Sequence, residues 1–228
     1  MRRFYQFGLP AIALGLLGTG AYMGLVAAPS EVFMGDVYRI MFVHVPCAWA
    51  ALIGFILNFG ASIYYLFKND LRADALAEAT AEVGVVFSTL LLVTGSIWGR
   101  PTWGVWWTWD PRLTTAAIMW LAFSGYLALR RFVDLPEKRA TWAAVVGIII
   151  FVDIPIVWFS VRWWNSLHQV QSGPRTLDPA MRKALYFNAL AYVVTAAWFI
   201  YLRYGLARRR QAEELTAPPP AVGEGEAA

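Results

Sequence analysis

"VHVPCAWAALIGFILNFGASIYYLF", Val43 to Phe67, holds no Asp, Glu, Lys or Arg. A bilayer-crossing α-helix needs roughly 20 mainly apolar residues, and this run is longer. In hydrocarbon every backbone N–H and C=O must be paired inside the protein, which a continuous apolar run achieves only as a helix. A transmembrane barrel would show shorter segments of alternating polarity. Working outward from Val43–Phe67, five more apolar stretches appear, at about 8–27, 82–98, 113–129, 141–161 and 184–204. The predicted fold is an all-α integral membrane protein with six transmembrane helices.

Composition points the same way. Hydrophobic residues make up 59% of the chain and charged residues 15%, which is too apolar for an ordinary soluble domain. The first run follows Arg2 and Arg3 and ends at Ala27-Ala28, in the manner of a secretory signal. Its apolar part is about 20 residues, against the usual 7–15, and Pro29 stands where cleavage would fall, so it reads as a retained anchor helix. Twelve Lys and Arg flank the spans on the N-terminal side of the membrane, among them Lys68, Arg72, Arg130, Arg131, Lys138 and Arg139. Seven flank them on the other side: Arg39, Arg100, Arg112, Arg162, Arg175, Arg182 and Lys183. This bias predicts both termini in the cytoplasm. The net charge of +4 expresses it, and no basic stripe on a soluble surface suggests nucleic acid. Cys47, the only cysteine, cannot form an internal disulfide, and the haem-attachment pattern C-x-x-C-H is absent. Residues 1–205 read as one membrane domain. The polar, proline-broken residues 206–228 are expected to be a disordered cytoplasmic tail.

The three longer connections, about 28–42, 99–112 and 162–183, fall on the outer side, and loops carry function more often than the elements they join. Phe33 to Phe42 has helical spacing and is expected to form a short interfacial helix. The next connection belongs to "WGRPTWGVWWTWDPRLT", Trp98 to Thr114, which sets Trp98, Trp103, Trp106, Trp107 and Trp109 close together. Tryptophans gather at membrane interfaces, but this cluster is denser than a belt requires. Gly99, Pro101 and Gly104 are expected to prevent a plain helix and shape a loop that presents indole rings. Trp142, Trp158 and Trp198 read as interfacial or packing residues. Asp110 either caps the helix opened by Pro111 or orients a loop donor or an arginine.

His44 and His168 are the only histidines, and six spans place both on the outer side. Each could be an interfacial imidazole bonded to a loop carbonyl. Together, on different helices and flanking an aromatic platform, they could instead grip one haem iron from opposite sides. Arg100, Arg112, Arg162 and Arg175 could pair with propionates or simply be surface charge. Asp153, near the middle of the fifth span, is a costly position for a carboxylate and so a functional candidate, with no cation at matching depth.

The tryptophan segment resembles the WWD motif of the haem-handling protein family of bacterial cytochrome c biogenesis. "HVPCAW" at His44, "SIWG" before the motif and "WWNSLHQ" ending beside His168 are similar to its CcmC branch, over residues 1 to about 205. The resemblance implies a periplasm-facing site on the bacterial inner membrane. There His44 and His168 would be axial ligands of haem b. Trp98, Gly99, Trp103, Trp106, Trp107, Trp109 and Asp110 would hold the haem edge. It implies presentation of haem to the membrane-anchored chaperone CcmE, and association with the ABC-type CcmA and CcmB and the small subunit CcmD. On that reading the chain is a transfer scaffold rather than an enzyme. Asp153 departs from the family, where a neutral polar residue is more usual. Two other readings stand beside it: a b-type haem electron-transfer subunit and a haem transporter.

Overall fold

The computed structural model describes residues 7–168 and 177–216. Six helices long and apolar enough to cross a membrane account for nearly all of it. Helix α1 (Leu9–Ala21) runs on as a π-helical turn, Tyr22–Ala27. A 3₁₀ turn, Asp36–Ile40, leads directly into α2 (Met41–Lys68). Then follow α3 (Leu71–Trp103), α4 (Pro111–Phe132), α5 (Pro136–Phe151), α6 (Asp153–Trp163) and α7 (Pro179–Thr216). The expected interfacial helix at 33–42 is therefore only its second half, wound as a continuation of α2. Val32 and Phe33 instead form the exposed tip of a turn, in which the Glu31 carboxylate accepts from the N–H groups of Phe33 and Met34 at 2.8 and 2.6 Å.

The centre of the bundle is the α2–α3 hairpin. Only Asn69 and Asp70 join the two helices. Asn69 adopts the left-handed conformation that ends α2, with φ 51°. The Asp70 carboxylate caps α3 by accepting from Arg72 N–H at 2.8 Å. Helices in lipid gain no hydrophobic drive from each other and associate through close packing of small residues. Gly54 and Gly84 supply it here. A Cβ on Gly54 would lie 2.9 Å from the Thr80 carbonyl oxygen, and one on Gly84 would lie 2.5 Å from Phe55. Phe55 in turn stacks on Phe123 of α4, with ring centroids 3.8 Å apart.

One end of the bundle, where α2 finishes and α3 and α5 begin, is held by charge. Arg130 of α4 is buried and makes a bidentate pair with Asp74 at 2.6 and 2.9 Å. It also reaches Glu78 at 3.2 Å. Arg210 of α7 closes on the other Glu78 oxygen at 2.8 Å. Gln211 donates to Asp74 and to the Leu71 carbonyl, both at 3.0 Å. Arg203 pairs with Glu82, and Arg139 with Glu214. These contacts correct two expectations. The third helix begins at Leu71 rather than near residue 82, because its acidic first turns face cations instead of water. The last helix continues to Thr216 rather than giving way to a disordered tail at 206, because Arg210, Gln211 and Glu214 are tied to α3 and α5. Residues 217–228 of that expected tail lie outside the described residues.

The fifth span is broken. Pro155 has no N–H to give to the Phe151 carbonyl, and its ring crowds that carbonyl. The helix interrupts at Val152, whose N–H bonds Ile149 O at 3.2 Å. Below the break α5 packs on both α2 and α4, and beyond it α6 packs on α4. A crevice lies between α2 and α6. Asp153 begins α6, and its buried Oδ2 has no hydrogen-bond partner among the described residues.

Candidate functional site

The crevice widens into a cavity of about 530 Å³, lined from α2, α3, α4, the end of α5 and α6 and from the stretches that follow α3 and α6. His44 lies in the first turn of α2, and His168 lies five residues past the end of α6. Both line this one cavity. So do Trp98, Trp103, Trp107 and Arg112. The lower wall is apolar, from Leu52, Ile56, Leu91, Met119, Phe151 and Ile154. From His44 to Ile56 the cavity follows one face of α2 for roughly 18 Å, at 1.5 Å per residue.

The His44 ring is laid against α3. Its Nδ1 is 3.0 Å from Thr94 Oγ1, and a Cβ on Gly95 would approach its Cε1 to 3.2 Å. A larger residue than glycine at 95 would push the ring into the cavity.

The tryptophan segment is more helical than expected. Helix α3 runs through Gly99 and Pro101 to Trp103 before Gly104 ends it, with φ 79° and its N–H on the Arg100 carbonyl at 3.1 Å. Pro101 costs the helix one hydrogen bond, but the Thr102 hydroxyl donates to Trp98 O at 2.8 Å. Gly99 is buried in the helix, where a Cβ would meet Trp103 at 3.2 Å. This close contact lets the Trp98 and Trp103 rings meet edge-to-face, centroids 5.1 Å apart. Trp98 also lies beside the His168 ring, at 6.3 Å. Residues 105–110 then form the loop proper. Trp107 faces the cavity while Trp106 and Trp109 are exposed, Trp109 by 82%. Arg100 turns its guanidinium to the Gly104 carbonyl rather than to the cavity.

Asp110 is buried and unites both roles considered for it. Its Oδ1 accepts from Arg112 N–H at 2.9 Å, capping α4. The same oxygen accepts from the Ser166 hydroxyl at 3.0 Å, and Oδ2 accepts from Leu167 N–H at 2.7 Å. Ser166 Oγ accepts in turn from His168 N–H at 3.0 Å. The carboxylate thus binds the His168 stretch to the start of α4.

Of the arginines singled out in the sequence, Arg112 alone among the described residues lines the cavity. Arg162 is exposed, its guanidinium 5.8 Å from the Phe159 ring. Arg175 lies outside the described residues. Sequence reasoning missed Trp49 and Trp158, which line the cavity although Trp158 read as an interfacial or packing residue. Extending the helical face of His44 to Ala48 and Leu52 would have found the α2 wall. No local signal marks Thr94.

The sequence profile of the heme exporter protein C family matches residues 3–216. The chain is 40% identical over 190 residues to heme exporter protein C of Bradyrhizobium diazoefficiens, covering 82% of this chain and 72% of that one. It is 34% identical over 209 residues to heme exporter protein C of Escherichia coli strain K12, covering 88% and 85%. Against heme exporter protein C of Haemophilus influenzae it is 35% identical over 198 residues, covering 85% and 80%.

Proposed function

The chain belongs to the heme exporter protein C family, whose role is haem handling in cytochrome c biogenesis, and from that premise we propose that it holds haem b at the periplasmic rim of the bacterial inner membrane and presents it to the chaperone CcmE. The observation that carries this reading is that both histidines line one cavity with three indoles and one guanidinium.

The residues fit such a cargo. A cavity of about 530 Å³ falls within the roughly 300–1,000 Å³ usual for cofactor sites. Among the described residues no group of three or more His, Cys, Asp or Glu could hold a bare ion. Two imidazoles are instead the axial pair that a porphyrin iron accepts. His44 and His168 hold the iron. Trp98, Trp103 and Trp107 offer flat apolar faces to the ring, each such contact contributing about 0.5–1.5 kcal/mol beyond area burial. Arg112 meets a propionate through charge-assisted hydrogen bonds. Asp110 keeps His168 in place from behind the wall. The exposed Trp106 and Trp109 stand at the rim, where a partner chain would dock. The histidine that bonds covalently to haem belongs to that partner, so this chain is a transfer scaffold and not an enzyme. CcmA, CcmB and CcmD are its proposed membrane partners.

Visible spectroscopy of the purified protein tests the assignment. The wild type should show a six-coordinate low-spin haem, and His44→Ala with His168→Ala should abolish it. Low-spin haem surviving the double change would overturn the axial roles. The broken fifth span supports a second reading, transport across the bilayer, since transporters interrupt helices near the midplane. Haem uptake into vesicles containing this chain alone would favour it.

A further inference from the structure

We infer that Thr94 is a positioning residue that fixes the tautomer of His44, placing the proton on Nδ1 and leaving the Nε2 lone pair for the cavity. The argument rests on where one hydrogen must be. A threonine hydroxyl has a single proton to donate. Thr94 Oγ1 is 2.7 Å from the Leu90 carbonyl oxygen and 3.1 Å from that of Leu91. Carbonyls only accept, and two oxygens at 2.7 Å with no proton between them would set lone pair against lone pair. The Thr94 proton is therefore spent on its own helix. Oγ1 then faces His44 Nδ1, at 3.0 Å, only as an acceptor, so Nδ1 must donate.

The ring's placement agrees. The approach of Cε1 to Gly95 and of Nδ1 to Thr94 lays one edge of the imidazole on α3. Nε2 is left to the cavity, which His44 lines. A neutral imidazole donates at one nitrogen and accepts at the other, and a metal takes the unprotonated one. Hydrogen bonding of the other nitrogen to an outer partner fixes ring orientation and raises the basicity of the ligating atom. Helix α3 thus presets a ligand carried by α2, ready before any cargo arrives. The proposal's bearing on iron rests on the haem reading above; the tautomer itself does not.

The chain holds only two histidines, which makes the tautomer directly observable. The protein is labelled with ¹⁵N-histidine and its nitrogen spectrum is recorded without haem, with His168→Gln assigning the signals. The wild type should show His44 as the Nδ1–H form. Thr94→Val, which keeps the shape and removes the hydroxyl acceptor, should shift His44 toward the Nε2–H form, the Leu91 carbonyl being the backbone acceptor that remains beside the ring. Thr94→Ser should restore the wild-type signal. In haem titrations Thr94→Val should weaken binding roughly ten- to a hundredfold, the usual effect of losing an outer partner, while Thr94→Ser binds as the wild type does. A Thr94→Val protein with unchanged His44 signals and unchanged affinity overturns the proposal. If His44→Ala leaves the low-spin haem spectrum unchanged, the axial role of His44 fails instead, and the apo spectrum still decides the tautomer.

Discussion

Replacing Asp110 by Asn tests whether the motif's carboxylate acts as a brace rather than as a contact to cargo. The change keeps size and removes one acceptor. Three donors converge on Asp110: Arg112 N–H and Ser166 Oγ–H on one oxygen, and Leu167 N–H on the other. An asparagine has one carbonyl oxygen. If it faces Arg112 and Ser166, its NH₂ group confronts the Leu167 N–H, donor against donor. The opposite orientation loses two bonds instead of one. The cheaper choice forfeits one hydrogen bond to a charged group, worth about 1.5–3 kcal/mol. At 1.4 kcal/mol per tenfold, the ordered His168 stretch becomes roughly ten- to a hundredfold less populated, and haem affinity falls in proportion. Hydrogen exchange over residues 164–168 and a haem titration read the two effects. Exchange there should accelerate while α2, with His44, keeps its protection. An Asp110→Asn protein with wild-type exchange at Leu167 and affinity within about twofold of the parent would refute the reasoning.

Gly95→Val should displace the His44 ring from α3, since even a Cβ comes to 3.2 Å of it, and should lower haem affinity while the thermal unfolding midpoint in detergent changes little. Arg130→Ala leaves Asp74 and Glu78 buried without their shared cation and should destabilise the fold by about 3–5 kcal/mol. Arg203→Ala removes a half-exposed pair with Glu82, and about 0–1 kcal/mol is expected there. Thermal melts of the two variants side by side check the contrast. Gly84→Ala drives a methyl into Phe55 and should cost about 1–3 kcal/mol, read in the same melt.

The six spans could be read from uninterrupted apolarity because lipid leaves the backbone no other option. The same criterion failed where helices leave the bilayer. Asp74, Glu78 and Glu82 made the first turns of α3 look like a connection, and Arg210, Gln211 and Glu214 made the end of α7 look like a tail. In space these groups answer one another, and a one-dimensional pattern does not show which acid meets which base. At the site the histidines, the indoles and Arg112 stood out by residue type and position. Trp158 and Trp49 did not, because an indole lining a cavity and one lying at an interface have the same local sequence. Thr94 escaped notice since a threonine in a helix is ordinary until the residue opposite it is known. Pro101 misled in the other direction: a proline near a helix end removes only one hydrogen bond, and α3 carried on past it for two residues.

The interlocked glycines of α2 and α3 make the two imidazoles mechanically unequal. His44 rides on a helix whose backbone touches its neighbour's, so it shares the stiffness of the innermost part of the fold. His168 lies on an irregular stretch that the Asp110 carboxylate ties to the start of α4. On the proposed haem reading, any loosening of the grip would begin at that stretch, with the cargo still held by His44.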